Sequence, residues 1–364
     1  MRDTPMDRRT WLRGAAALAC SPLLPAYAGS LAPRPRRFVD VHHHFVAPAF
    51  ADFNARFVPG SGPLPWKLED DLRDMDASHT TLAVLSGFTP SIGGTIEDRR
   101  TLSRGTNDFG AQLAARHPGR FALFATLPLP DIDGSLREAA YAFDTLHAVG
   151  LTVYTDAAEH WLGDPIFDNL YKELDRRNAV VFVHPHAPVC CTNIVPNVPD
   201  TLIEFGTATS RTIASLIFNG TTQRFPNIRW IFSHGGGTIP FLIERLLGNT
   251  SAEIVPGIRT TGGHLNLKQP PAGALAELRR MYFDTAQIAN PVALRALRSV
   301  VGSAQILYGT DHWFRSNQET AAALCDSHVF TPAELNRVAF SNLETLIPSL
   351  QATSKDAPPR RGTK

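Results

Sequence analysis

Three consecutive histidines, His42, His43 and His44, run directly on from the apolar segment Phe38-Val39-Asp40-Val41. Side chains of an extended chain alternate between its two faces, so His42 and His44 point one way and His43 the other. Two imidazoles at that spacing can share a metal ion. Three further candidates have similar surroundings: His184 follows Val181-Phe182-Val183, His234 follows Trp230-Ile231-Phe232-Ser233, and Asp311 follows Leu307-Tyr308-Gly309-Thr310. A hydrogen-bonded place in a core is the better account of any one of these histidines. Packing is a poorer account of five such residues, His42, His44, His184, His234 and Asp311, each at the C-terminal end of an apolar run.

The runs that would position them recur along the chain. Short stretches rich in Val, Ile, Phe and Thr occupy residues 37–41, 80–86, 121–127, 150–155, 180–184, 228–233, 281–285 and 305–309. Between them lie segments with apolar residues at three- and four-residue spacing, such as 135–149, 167–177 and 291–301. This alternation predicts an α/β chain whose repeated β-α units close into a (β/α)8 TIM barrel, with loop insertions at the C-terminal face. An open doubly wound sheet is the alternative, but no glycine-rich phosphate fingerprint follows an early strand. Residues 46–78, with Pro63, Pro65 and Trp66, and residues 248–274, with Gly262, Gly263, Pro270 and Pro271, read as long functional loops over the barrel mouth. The catalytic residues of such barrels collect at the C-terminal ends of the strands, which is where the five candidates fall.

The chain has 364 residues, 43% hydrophobic, with 35 basic and 34 acidic side chains. That balance provides no field to attract nucleic acid or an anionic membrane, and a small, locally recognised ligand is the expected partner. Arg8-Arg9, a modestly apolar run from Gly14 to Leu24 and the small-x-small triplet Ala26-Tyr27-Ala28 occur in the order of a twin-arginine export signal. Residues 1–28 are therefore expected to be a cleaved leader, 29–36 a linker, 37–350 the barrel and 351–364 a disordered tail. The predicted location is periplasmic, without stable membrane association after cleavage; a cytoplasmic protein is the alternative. Adjacent Cys190 and Cys191, with Cys325, form no disulfide framework, and small buried thiols are expected.

The set Asp40-Val41-His42-His43-His44, Phe182-Val183-His184-Pro185, Ser233-His234-Gly235-Gly236-Gly237 with Pro240 and Arg245, and Gly309-Thr310-Asp311 closely resembles the amidohydrolase-related decarboxylases. This is the group of aminocarboxymuconate semialdehyde, γ-resorcylate and 6-methylsalicylate decarboxylases, and the resemblance spans about residues 38–346. It implies that His42, His44, His184 and Asp311 are metal ligands and that His234, with Asp311, is catalytic. Superfamily members with two metals bridge them through a lysine on the fourth strand. Val153, Tyr154 and Thr155 stand there instead, so one ion per chain is expected; a mixed set of imidazoles and carboxylate suits Zn2+ and leaves Mn2+ possible.

The implied reaction is non-oxidative, metal-dependent decarboxylation of a small hydroxyaromatic carboxylic acid by a homodimer. Residues 60–65 contain no arginine, which argues against a dicarboxylate, while Trp66, Phe205 and Arg211 resemble the substrate-binding positions of the 6-methylsalicylate branch. The branch carries an acidic residue where this chain has Ala208. Arg245 could meet a substrate carboxylate or cross a subunit interface. Hydrolysis of a lactone or cyclic ester in the same superfamily is the alternative activity, favoured by the export signal, and a binding protein that kept the barrel without turnover is a third.

Overall fold

A computed structural model describes residues 34–57, 64–88, 94–247 and 270–351. The leader, most of the linker, the tail beyond residue 351 and most of the second insertion lie outside the described residues. Eight strands, β1 Phe38–His44, β2 Thr80–Ser86, β3 Phe121–Thr126, β4 Gly150–Tyr154, β5 Val180–His184, β6 Arg229–Phe232, β7 Tyr282–Asp284 and β8 Ile306–Leu307, form one sheet in sequence order, every neighbouring pair parallel. The fold is the expected TIM barrel. β8 is shorter than residues 305–309 because the chain beyond it leaves β7 and turns to β1. There Val41 N–H donates to Tyr308 O (3.0 Å), Asp311 N–H to His42 O (2.9 Å) and His44 N–H to His312 O (2.9 Å), which joins the last strand to the first.

Two apolar layers follow from the alternation of side chains. Val39, Val41, Leu82, Val84, Phe124, Val180, Phe182, Ile231 and Leu307 pack inside the barrel, together with Leu343, Ile347 and Leu350 of the C-terminal segment. Leu85, Leu123, Val181, Val183, Trp230 and Phe232 face outward and meet the surrounding helices. Helix Pro291–Val301 shows why such segments are legible: Asn290 Oδ1 accepts the N–H groups of Val292 and Ala293, Pro291 occupies the first turn, and Gly302 at φ +81° ends it. Its Leu294, Leu297, Val300 and Val301 supply the buried stripe.

Residues 46–78 are not the long loop expected. Helices Pro48–Phe57 and Leu68–Ser78 occupy most of that segment. Phe50 and Phe53 anchor the first against Leu102. The second carries Glu69, Asp70 and Asp71 in its first turn, where carboxylates favour the helix dipole, and buries Met75 beneath. Pro63 and Pro65 give the segment the punctuation of a loop and mask this helical spacing in the sequence. Cys190 and Cys191 correct the expectation of buried thiols: the 3-10 turn Val189–Cys191 exposes Cys190, and the two neighbours are joined as a disulfide. Cys325 takes part in no disulfide.

Candidate active site

Strict alternation along β1 would send His43 into the barrel after Val39 and Val41. A register shift intervenes. Asp40 pairs with Ala83 and His43 with Leu85, so β1 spends three residues where β2 spends two. A bulge of this kind re-aims side chains, and here His42 and His44 turn inward while His43 follows outward-facing Leu85. The His42 ring accordingly lies 5.0 Å from the inward ring of Phe182, centroid to centroid. Just beyond β8, a Cβ on Gly309 would approach His42 Cβ to 2.9 Å and Asp284 Cβ to 2.8 Å, so only glycine lets the chain pass this close.

Four donors converge at the C-terminal mouth. His42 Nε2 is 3.0 Å from His44 Nε2, which is 3.3 Å from His184 Nε2. Asp311 Oδ1 lies 3.2 Å from His42 Nε2 and 3.1 Å from His44 Nε2. All four residues are buried, and their donor atoms lie within 4.8 Å of one another. The opposite ring nitrogens settle the tautomers: His42 Nδ1 faces Asp284 Oδ2 at 2.7 Å, His44 Nδ1 faces Ser86 O at 3.2 Å and His184 Nδ1 faces Pro185 O at 2.8 Å. Each Nδ1 must carry a proton to meet an oxygen acceptor, which leaves the Nε2 lone pairs of the neutral rings facing one another.

Lone pairs do not gather around nothing. Asp311 Oδ1 is buried with no hydrogen bond despite its proximity to two imidazoles, as a metal ligand would be. Three imidazoles and one carboxylate are also a chemically suitable set for a divalent transition metal. Electrostatics agree. Burial alone would lower the His42 imidazolium, but the charges of Asp284 and Asp311 outweigh it and raise the group to about 10. Burial lowers His44, aided by the charge of His42, and holds His184 well below its ordinary value, aided by His44 and His42. The donors thus favour one positive charge at their centre, and a divalent ion competes there with a proton on His42.

His234 stands beside this cluster, its ring 5.2 Å from that of His42 and 5.6 Å from that of His184. Its N–H donates to Asp284 Oδ1 (2.8 Å) and its Nδ1 to Ala286 O (3.2 Å). The turn that presents it needs glycine: Gly237 has φ +66°, and a Cβ there would meet Gly206 O at 2.0 Å. His234 (φ 52°) and Asp311 (φ 65°) themselves hold the left-handed backbone that non-glycine residues seldom adopt, a strain typical of functional positions. A cavity of 960 Å3 opens onto His184, His234 and Asp311, and Phe205, Phe88 and Ile288 are among its walls.

The remaining expected substrate contacts lie elsewhere. Trp66 does not line this cavity; its indole N–H donates to Asp71 Oδ2 (2.8 Å). Arg211 faces Cys191 Sγ at 3.3 Å and Glu204 at 4.0 Å, and Arg245 is exposed near the end of helix Ile239–Leu246. Sequence reasoning missed Asp284, which orients His42 and holds the His234 backbone; an acid closing the seventh apolar run was the available signal. It also missed Gln287, whose side-chain amide donates to Asp311 Oδ2. No pattern in the sequence marks that residue. A second buried group, His43, Asp71 and His312, was likewise unseen because Asp71 belongs to the helix read as loop.

Comparison with known proteins accords with this geometry. The sequence model of the amidohydrolase family matches residues 39–342. Decarboxylase yanB of Aspergillus niger is 35% identical over 293 residues, covering 75% of this chain and 76% of the relative. A 6-methylsalicylic acid decarboxylase of Penicillium expansum is 33% identical over 287 residues, covering 75% and 84%. In fold, the chain is similar to a dihydroxybenzoic acid decarboxylase from Polaromonas sp. JS666 solved with bound manganese and 2-nitroresorcinol, at a TM-score of 0.72, 20% identity and coverage of 86% and 97%. By its sequence and by the closed barrel that carries the site, this chain belongs to the amidohydrolase family.

Proposed function

We propose that this protein is a metal-dependent, non-oxidative decarboxylase of a small hydroxyaromatic carboxylic acid, of the 6-methylsalicylate type. The observation that carries the reading is the convergence of His42, His44, His184 and Asp311 on one point at the end of an apolar cavity beside His234. The names of the fungal relatives support it. Bound by those four residues, one Zn2+ or Mn2+ per chain would supply Lewis acidity and a template for the substrate's carboxylate and phenol oxygens. A proton must replace CO2 on a ring carbon; the ortho hydroxyl donates density that lets the carbon bearing the carboxylate take up that proton, and the C–C electrons released with CO2 then restore the aromatic ring.

His234 is suited to deliver that proton. With Nδ1–H committed to Ala286 O, its Nε2 is the nitrogen available for exchange with a cavity occupant. Gln287 holds the other oxygen of Asp311, which keeps Oδ1 turned to the ligand set. Phe205 and Phe88 exclude water from the ring face, and a nonpolar wall favours conversion of a carboxylate to neutral CO2. The reading also includes a periplasmic homodimer exported through the twin-arginine route, supported by Arg8-Arg9 and the triplet Ala26-Tyr27-Ala28. No helix among the described residues is long and apolar enough to cross a membrane.

The test is direct. The chain from Gly29 is purified, its metal measured by plasma mass spectrometry, and 6-methylsalicylate followed for CO2 and 3-methylphenol. About one Zn or Mn per chain with equal yields of both products is the expected result. Failure to bind either metal, or ring opening of a lactone with no CO2 from any hydroxybenzoate, overturns it.

A further inference from the structure

The cavity is larger than the substrate just proposed requires. At 960 Å3 it stands at the upper end of the roughly 300–1,000 Å3 in which drug-sized ligands bind. A benzene ring with a carboxylate, a hydroxyl and a methyl group is far smaller than such ligands. The lining is mainly apolar, with Thr201, Thr207 and Thr238 among its uncharged polar members. Its inner end holds the ionisable residues His184, His234 and Asp311, whereas its outer walls include Leu202, Ile203, Ile288 and Phe314. No lysine or arginine is among the described lining residues. His186, which does line it, is taken up by Asp156 at 2.9 Å.

Three of the outer residues are unusually open for their type. Leu202 is 73% exposed, Phe314 58% and Ile203 47%. They continue the wall that begins at Phe205, whose ring centroid is 6.2 Å from that of His184, so the apolar rim and the donor cluster belong to one cavity. A hydroxybenzoate that turns its carboxylate and hydroxyl toward the donors points the opposite edge of its ring along this rim. A second carboxylate there would find no described cation. An alkyl group would cover all three exposed side chains.

We propose that the substrate is a 2-hydroxybenzoate carrying an apolar side chain several carbons longer than methyl, laid along Leu202, Ile203 and Phe314. This deepens the decarboxylase reading and rests on it. The side chain acts through binding. Each methylene removed from water favours the complex by about fourfold, the equivalent of about 0.8 kcal/mol. The gain falls on kcat/KM, mainly through KM, because the tail is as well bound before the reaction as during it.

CO2 release is measured for two series of 2-hydroxybenzoates, alkylated at carbon 4 or carbon 6, from methyl through propyl and pentyl to heptyl. In at least one series kcat/KM rises, and pentyl exceeds methyl by at least about tenfold. Leu202→Asp and Phe314→Ser lower that pentyl-to-methyl ratio. A ratio that stays flat or falls in both series, while the methyl compounds lose CO2, overturns the tail site and leaves the decarboxylase reading standing. If no member loses CO2 from the metal-loaded protein, both fall together.

Discussion

His42 and His43 are neighbours in β1, yet they enter clusters of similar composition and opposite character. In the first, the Nε2 atoms of His42, His44 and His184 face one another and an unpaired carboxylate oxygen. In the second, each Nε2 faces Asp71: His43 at 3.4 Å from Oδ2 and His312 at 2.5 Å from Oδ1, with Trp66 donating to Oδ2 as well. The His43 and His312 rings are stacked, 4.4 Å apart and 8° from parallel, and both Nε2 atoms turn to the same carboxylate. Asp40 accepts from His43 Nδ1 on the far side (3.0 Å). Three His and Asp residues within ligand distance are therefore not enough to identify a metal centre. What distinguishes the clusters is where the lone pairs point: at a common centre in one, while in the other the carboxylate accepts from both rings.

Charge follows the same division. Burial would raise Asp71, but hydrogen bonds from His312 and His43 pull it down to about 2, and Asp71 and Asp74 together lift His312 to about 9 against its burial. The second cluster is thus an ion pair that already contains its own cation. It ties helix Leu68–Ser78 to the chain beside three of the ligands, because His43 lies between His42 and His44, and His312 follows Asp311.

If the division holds, variants separate metal binding from stability. The largest effect is expected of His184→Ala, which should lose the ion and at least about 10^3-fold of kcat/KM while remaining folded. Metal analysis beside circular dichroism tests this, and retention of the ion at normal affinity would place the metal elsewhere. Asp71→Asn should act in the opposite sense. It strips a buried cation of its partner and costs about 3 kcal/mol, at the lower end for such a loss because Asp74 remains near His312. Chemical denaturation reads that cost, while metal content stays at about one ion; a parallel loss of metal would mean that the clusters are not separable.

Asp284→Asn, which weakens the orientation of His42, should lower metal affinity or activity by about 10- to 100-fold. Competition with a chelator measures it, and an unchanged affinity would deny Asp284 this role. The smallest effect concerns acid. Because the folded protein holds Asp71 below its ordinary value, its contribution is complete above about pH 4 and disappears as the pH falls through about 2. Thermal scans of the metal-free protein should show Asp71→Asn losing stability less steeply than wild type across that interval. Equal slopes would remove the carboxylate from the ion pair.

Much of this molecule could be read from local pattern. The eight apolar runs became eight strands, and helix Pro291–Val301 appeared between its asparagine cap and its glycine stop, because alternation, helical spacing and capping act over a few residues. The placement of His42, His44, His184 and Asp311 at strand ends was readable for the same reason. Helix Leu68–Ser78 was not, since its punctuation resembled a loop and its Asp71 gains its purpose from His312, 241 residues away. Nor could local pattern assign Arg211 its place beside Cys191, which depends on how the turn Val189–Cys191 lies against helix Asp200–Phe218.

The decisive example is β1. Its sequence determined that His42 and His44 share a face, because that follows from the pleat of any strand. Only the tertiary structure decided which face was inside, because one extra residue between Asp40 and His43 changes the phase of β1 against β2. Closure against residues 308–312 then joins that strand to the last. Pairing between distant strands sets that phase, and the phase separates a set of ligands from a buried ion pair.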